Sequence, residues 1–329
     1  MKLLTGPAPH IHDNISTRRI MLDVLIALTP AAILAVLMWG WYMLLLEIGA
    51  MAFAEFLEFF VMRVFRKKKD FVPDLSASVT ALLLVFNVPA GISWWTMATG
   101  ILVAIIIGKE IFGGIGNNPF NPALVGRLFM YISFPVAMIT WPQVNWLHFW
   151  APAYDVATTA TPLGEAKLHG VAAATQLFHG LNWTSFIGII PGSAGETSAL
   201  LLIIGFLYLW WRKVVSYEIP VAYIGTTFVL SAIFWMANPS AYYDPLTSIM
   251  VGGLMLGALF MATDPVTSPV TPRGKWIFGI GAGVITVLIR YIGAYPEGVN
   301  FAIILMNALV PFINQFTKRR VFGTVKENG

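Results

Sequence analysis

The sequence predicts an all-α polytopic membrane protein of about ten transmembrane helices in two inverted five-helix repeats. Three observations carry that expectation: the composition, a succession of apolar runs long enough to cross a bilayer, and the placement of basic residues between them. Of 329 residues, 57% are hydrophobic and 11% charged, with a mean hydropathy of +0.75. A soluble domain carries roughly 25% charged residues. The formal charge of +4 is thus no argument for a nucleic-acid partner, and membrane lipid is the expected surrounding. Cysteine is absent, which removes disulfides, thiolate-held iron–sulfur clusters and Cys-based zinc sites. Any redox chemistry is left to an organic cofactor or to a centre on a partner.

The opening segment, 1–19, with Pro7, Pro9, His10, His12 and Asp13, is too polar and proline-rich for a cleavable signal peptide. Spans follow at 20–40 and 43–64, since about 20 helical residues cross the hydrocarbon, and they form a hairpin turned near Gly40 and Trp41. Next comes the basic block Arg66, Lys67, Lys68 and Lys69, which belongs on the cytoplasmic side. Two spans separate it from Arg18 and Arg19, so the N-terminus is expected inside as well. The apolar piece 75–88 is short and ends at Asn87, Pro89 and Gly91, the mark of a broken or partly buried helix. Spans at 92–111 and 123–141 complete a first repeat, 20–141.

The long connection 142–197 is then extracytoplasmic, with 177–190 an amphipathic or re-entrant candidate. Spans at 198–211, 219–236, 247–261, 277–291 and 301–316 make the second repeat, 198–316. The tail 317–329, with Lys318, Arg319, Arg320 and Lys326, ends inside. Of the twenty Lys and Arg residues, only Lys167 and Arg290 fall on the outer side of this topology, the asymmetry that sets membrane orientation. The halves echo one another: Asp74, Leu75 and Ser76 against Asp244, Pro245 and Leu246, and 118–123 against 297–302. One half starts inside and the other outside, an inverted arrangement that in transporters places binding sites at broken helices.

Several residues are candidates for chemistry. In the glycine- and amide-rich turn 113–122, Asn118 and Asn121 suit the carbonyls and N–H of a flavin ring, or a partly dehydrated cation, and equally a simple cap on the fifth span. Asp264, in the turn 261–269, suits a cation, a flavin hydrogen bond or a cap. Asn300, Asn307 and Asn314 recur at seven and form one polar stripe, directed at the bundle interior or at a neighbouring protein of a complex. Glu47, Glu55 and Glu58 lie towards one side of the second span, where Glu58 suits pairing with Arg63 or the basic block. None of the five histidines has the helical spacing of a metal-binding pair. In the run 155–163, Pro162 holds Thr161 out of the α region, and ordinary turn chemistry accounts for the hydroxyls as well as function does.

The run Thr158, Thr159, Ala160, Thr161, Pro162, Leu163 resembles the (Ser/Thr)-Gly-Ala-Thr flavinylation motif of the NqrB/RnfD family. Thr159 stands where that family has glycine, which narrows the turn geometries open to a flavin transferase. The segments 9–12, 16–21, 118–123, 262–269 and 296–302 resemble further family blocks in the same order. The longer N-terminal extension of NqrB is missing, which favours the RnfD branch. The resemblance implies a fold similar to NqrB and distantly similar to urea transporters. It implies a component of a cell-membrane Rnf complex, bacterial or archaeal, with both termini cytoplasmic. That complex couples electron transfer between ferredoxin and NAD to translocation of Na⁺ or H⁺. FMN is expected covalently on Thr161, within a motif that includes Thr158 and Ala160, and riboflavin without a covalent bond. Asn118, Asn121 and Asp264 are the further cofactor-binding positions, with no catalytic or metal-ligating residue expected. Implied partners are the C, G, A, E and B subunits of the Rnf complex, and a flavin transferase during maturation. Two rivals stay open: an NqrB-like component of a sodium-pumping NADH:quinone reductase, and a flavin-free channel or solute transporter whose Asn turns line a pore.

Overall fold

A computed structural model describes residues 16–68, 71–142, 161–178, 181–188, 192–195 and 198–318. His10, His12, Thr158, Thr159 and Ala160 lie outside the described residues. Helix α1 (Thr17–Trp39) is capped by Ser16, whose hydroxyl accepts from the Arg19 N–H at 3.3 Å, and stops at Gly40 with φ +79°. Glycine adopts that conformation without a Cβ penalty. Helix α2 (Trp41–Phe60) leaves the same residue, so the expected hairpin turns on one glycine, and α2 ends in a π turn, Val61–Phe65. Helix α3 (Ser76–Phe86) is short and buried along its whole length. Helix α4 (Trp94–Leu102) runs on as a π segment, Val103–Glu110.

Asn121 caps α5 (Pro122–Ser133), and the chain breaks at Phe134 before α6 (Pro135–Ile139). The fifth span, expected unbroken to 141, is therefore divided. Pro135 lacks an N–H and disfavours helical backbone at the residue before it, and Phe134 is indeed at φ −131°, ψ 55°. Among its described residues, the long connection holds three short helices, α7 (Pro162–His169), α8 (Val171–Leu177) and α9 (Leu181–Ile187). The second half comprises α10 (Ala199–Trp211), α11 (Glu218–Ala237), α12 (Pro245–Met250), α13 (Leu254–Leu256) with the π turn Gly257–Met261, α14 (Pro272–Tyr291) and α15 (Val299–Phe316). The eighth expected span is therefore a helix interrupted at 251–253, where Gly252 has φ +78°.

Among the described residues, α1, α11, α14 and α15 are long and apolar enough to cross a membrane, and α3 and α10 are shorter apolar helices. Outward-facing positions are apolar too, as at Leu22, Ile26, Ile33 and Leu37 along α1. The chain is an all-α polytopic membrane protein, and helical segments coincide with each predicted span.

Packing repeats between the halves. Helix α2 contacts α3 and α4 as α11 contacts α12 and α14, and α4 with its π segment contacts α5 as α14 contacts α15. The first helices of the two halves, α1 and α10, pack antiparallel. Asp23 near the start of α1 pairs with Arg212 at the end of α10 at 3.0 Å, and Ala27, one turn later on α1, lies against Gly205, two turns earlier on α10. Equivalent helices running in opposite directions are what an inverted repeat requires. Segments expected on one side also meet: Arg66 donates to the carbonyls of Glu110 and Gly113, and Lys167 donates to the carbonyl of Arg290 at 3.0 Å.

The α1–α10 contact depends on glycine, because a β-carbon at position 205 would run into the Ala27 carbonyl oxygen. Gly205→Leu is expected to lower thermal stability in detergent by about 1–3 kcal/mol, the typical cost of overpacking. Gly225→Leu, where nothing lies within 4 Å of the added β-carbon, is expected to leave the melting temperature unchanged.

Candidate functional site

Thr161 is the N-cap of α7. It is extended at φ −75°, ψ 155°, and its hydroxyl accepts from the Gly164 N–H at 3.1 Å. Proline at the first helical position fixes both features, since it favours extended backbone before it and has no N–H to satisfy. Two side chains tie α7 to the bundle. The Tyr243 hydroxyl donates to the Pro162 carbonyl at 2.9 Å. The Lys167 ammonium donates to the carbonyls of Arg290 at 3.0 Å and Tyr295 at 2.8 Å, where the end of α14 leaves carbonyls without helical partners. Burial pushes the Tyr243 hydroxyl pKa up, and desolvation pulls that of Lys167 down.

Thr161 stands in the wall of a cavity on the side that the sequence expects to be extracytoplasmic, the outer cavity. The space open to the centre of a water molecule there is about 90 Å³, against roughly 10–15 Å³ for a single water. Tyr131, Met138, Trp141 and Phe301 supply apolar lining, and Arg127, Glu297 and Asn300 supply polar groups. The rings of Tyr295 and Phe301 stack at 5.3 Å, with Tyr131 edge-on to Tyr295 at 5.6 Å. Arg127 Nη2 meets Glu297 Oε2 at 3.1 Å, and Glu297 Oε1 accepts from the Gly253 N–H. Arg290 donates to the carbonyls of Ser248 at 2.6 Å and Val251 at 3.2 Å. These contacts settle the helix break at 251–253, whose backbone groups are lost to the helical ladder and find no partner in the hydrocarbon.

A second cavity, on the side expected to be cytoplasmic and so the inner one, measures about 80 Å³ in the same way and is lined by Ser76, Lys109, Asn118, Asn121, Thr263 and Asp264, among others. The three turn residues singled out in the sequence therefore meet on one cavity. Two of them are caps as well: Asn121 Oδ1 accepts from the Ala123 N–H at 3.0 Å, and Asp264 accepts from the Val266 N–H at 3.3 Å and the Thr267 hydroxyl at 3.0 Å. Burial raises the Asp264 carboxyl pKa, and those two hydrogen bonds oppose the rise. Asn118 Nδ2 donates to the Phe120 carbonyl at 3.0 Å.

A buried polar thread links the walls of the two cavities. Arg127 Nη1 donates to Asn87 Oδ1. Asn87 Nδ2 donates to the Leu83 carbonyl at 2.8 Å and reaches Met261 Sδ at 3.2 Å. Asn121 Nδ2 donates to the Met261 carbonyl at 3.2 Å. The ends of α3 and of the Gly257–Met261 turn thus share partners. The Asn stripe of α15 faces inward: Asn300 lines the outer cavity, Asn314 accepts from the Val270 N–H at 3.1 Å, and Asn307 is buried. With its amide turned to suit its neighbours, Asn307 accepts from the Asn121 N–H at 3.2 Å and donates to the Thr267 carbonyl at 3.1 Å.

Among the described residues, Glu58 meets a cation from another helix rather than from its own end of the chain. Its partner is Lys109 at 2.6 Å, both side chains 2% exposed, and Lys109 also donates to the Ser76 hydroxyl. Glu55 accepts from the Ser78 N–H at 3.1 Å and its hydroxyl at 2.7 Å, capping the first turn of α3. Arg127, Arg290 and Glu297 do not stand out in the sequence reading, although charged residues within or beside apolar spans mark functional sites by default.

The model of the NQR2, RnfD, RnfE family matches residues 4–323. The chain is 43% identical over 320 residues to the D subunit of the proton-translocating ferredoxin:NAD(+) oxidoreductase complex of Clostridium ljungdahlii, covering 96% of this chain and 95% of that protein. It is 39% identical over 329 residues to the D subunit of the Na(+)-translocating ferredoxin:NAD(+) oxidoreductase complex of Acetobacterium woodii, covering 99% and 97%. To the D subunit of the ion-translocating oxidoreductase complex of Actinobacillus succinogenes it is 37% identical over 346 residues, covering 96% of each.

Lys109→Met strands the Glu58 carboxylate without its cation. Breaking a buried pair from one side costs about 3–5 kcal/mol, so a large drop in unfolding temperature in detergent is expected. Adding Glu58→Gln is expected to recover much of it; a double variant as unstable as the single one contradicts the pairing.

Proposed function

Because the chain belongs to the NQR2, RnfD, RnfE family, we propose that it is the RnfD component of a membrane complex coupling electron transfer between ferredoxin and NAD to translocation of Na⁺ or H⁺. Relatives that match it almost end to end are named for that reaction. Its place is the cell membrane with both termini cytoplasmic, beside the C, G, A, E and B subunits.

The observation that carries the electron-transfer role is Thr161 at the N-cap of α7, in the wall of a cavity with aromatic faces and a charged edge. FMN esterified through its phosphate to the Thr161 hydroxyl by a flavin transferase supplies one- and two-electron exchange. The chain's own residues fit such a group. The N-terminus of α7 favours the phosphate charge through the helix dipole. Tyr243 and Lys167 fix the anchoring helix. Tyr131, Trp141 and Phe301 offer apolar aromatic surface to a planar ring, while Arg127 and Asn300 offer polar contacts. In the inner cavity, Asn118, Asn121 and Asp264 combine donors and acceptors of the kind riboflavin needs.

Thr161→Ala is expected to abolish flavin fluorescence at this protein's band in a denaturing gel while the complex still assembles; a band that stays fluorescent contradicts the assignment. Asn118→Leu is expected to reduce the riboflavin released by acid extraction per complex. An unmet buried hydrogen bond costs about 1–3 kcal/mol, roughly 5- to 150-fold in affinity. Unchanged riboflavin content would remove Asn118 from the site.

A further inference from the structure

We propose that a groove between α1 and α2 seats a transmembrane helix of a neighbouring subunit, and that a hydroxyl or amide donor on that helix meets the Glu47 carboxyl. The inference rests on the reading above that the chain is one component of a membrane complex.

The groove follows from residue spacing. Leu44, Glu47 and Met51 stand three and four residues apart on α2, and Leu25, Thr29 and Ala32 keep similar steps along α1, so each helix lines the groove with a single face. The space within it is about 450 Å³ by the measure used above, several times that of either cavity, so whole side chains enter it rather than single waters. Along α1 the lining runs from Leu25 to Leu37, about 18 Å of helix axis against roughly 30 Å of hydrocarbon. Leu37 and Leu44 are exposed at its rim.

Glu47 is out of keeping with this apolar lining. The other two acids of α2 are met inside the bundle, Glu55 by Ser78 and Glu58 by Lys109. Glu47 is 4% exposed, and its Oε1 has no hydrogen-bond partner among the described residues. On the α1 wall the exposed Thr29 hydroxyl donates to the Leu25 carbonyl at 2.8 Å, which leaves its lone pairs to accept. An acyl chain would fill the apolar length of the groove and leave the carboxyl oxygen unmet, because hydrocarbon has no donor. A helix answers both needs, with apolar side chains along the groove and one polar side chain at Glu47, the way polar residues hold transmembrane helices together. A neutral donor suits the place, since a further charge in hydrocarbon is costly. On the reading above, helices of this kind belong to the same assembly.

The test is photo-cross-linking in the purified complex, with Leu37 or Leu44 replaced by p-benzoylphenylalanine and the products identified by peptide mass spectrometry. Each position is expected to join a transmembrane peptide of one other subunit. The hold of that subunit is then read as its bound-to-released ratio at a detergent concentration that frees half of it from the native complex. Glu47→Gln, which keeps an acceptor oxygen, is expected to leave the ratio near its native value, and Glu47→Leu to lower it by about three- to thirtyfold. Products confined to lipid, to this same chain or to a second copy of it, or no product at all, overturn the proposal. So does a ratio unmoved by Glu47→Leu, or one lowered as far by Glu47→Gln. A preparation that contains no other subunit would refute the complex itself, a failure distinct from a complete complex without the cross-link.

Discussion

Interrupted helices inside a membrane bundle must find their hydrogen-bond partners in the protein or in a cavity it encloses, because the hydrocarbon offers none. This chain interrupts its helices on both sides of its repeat. Helix α3 stops after Phe86, and α12 gives way to α13 across 251–253. Asn87 and Asn121 settle the first break and the end of the Gly257–Met261 turn around a single residue, Met261. Arg290 and Glu297 settle the second break. Arg127 joins the two sets by donating to Asn87 and pairing with Glu297.

The same economy shapes the two cavities. Each is bordered by residues whose structural duty is to end a helix, so the polar groups facing the space are held rigid by the backbone they satisfy. Asn121 and Asp264 cap and line at once. On the outer side, Arg127 and Glu297 line the cavity, while Arg290 stands behind them and holds the break. Thr161 belongs to a different layer, a short helix pinned on the bundle by Tyr243 and Lys167. That separation suits a tether, with the anchor on the covering helix and the charge in the bundle.

Much of the architecture was legible because membrane spans announce themselves by length and apolarity. The glycine hinge at Gly40, the shortness of α3 and the inward Asn stripe were all visible in residue order alone. The site residues of the two turns were visible as types, since Asn and Asp before Pro signal helix caps and turns. What stayed hidden were partners distant in sequence: Lys109 for Glu58, Asn87 for Arg127, and the grouping of Arg290 and Glu297 about Gly252. Spacing along one chain carries no register between helices from different halves. The breaks at Phe134 and Gly252 were missed for a related reason. Each falls within a stretch apolar enough to pass for continuous helix, and backbone interruption there depends on proline and on glycine with φ > 0, at single positions.

The account turns on one covalent bond, between the Thr161 oxygen and a flavin phosphate, formed on the covering helix and facing the charged cavity. Mass spectrometry of proteolytic peptides from the native complex addresses it directly. The account predicts that the peptide spanning Thr161 carries the mass of one FMN less one water, with fragment ions placing the addition on that residue. Full recovery of the same peptide unmodified, from a complex active in ferredoxin:NAD electron transfer, would contradict it.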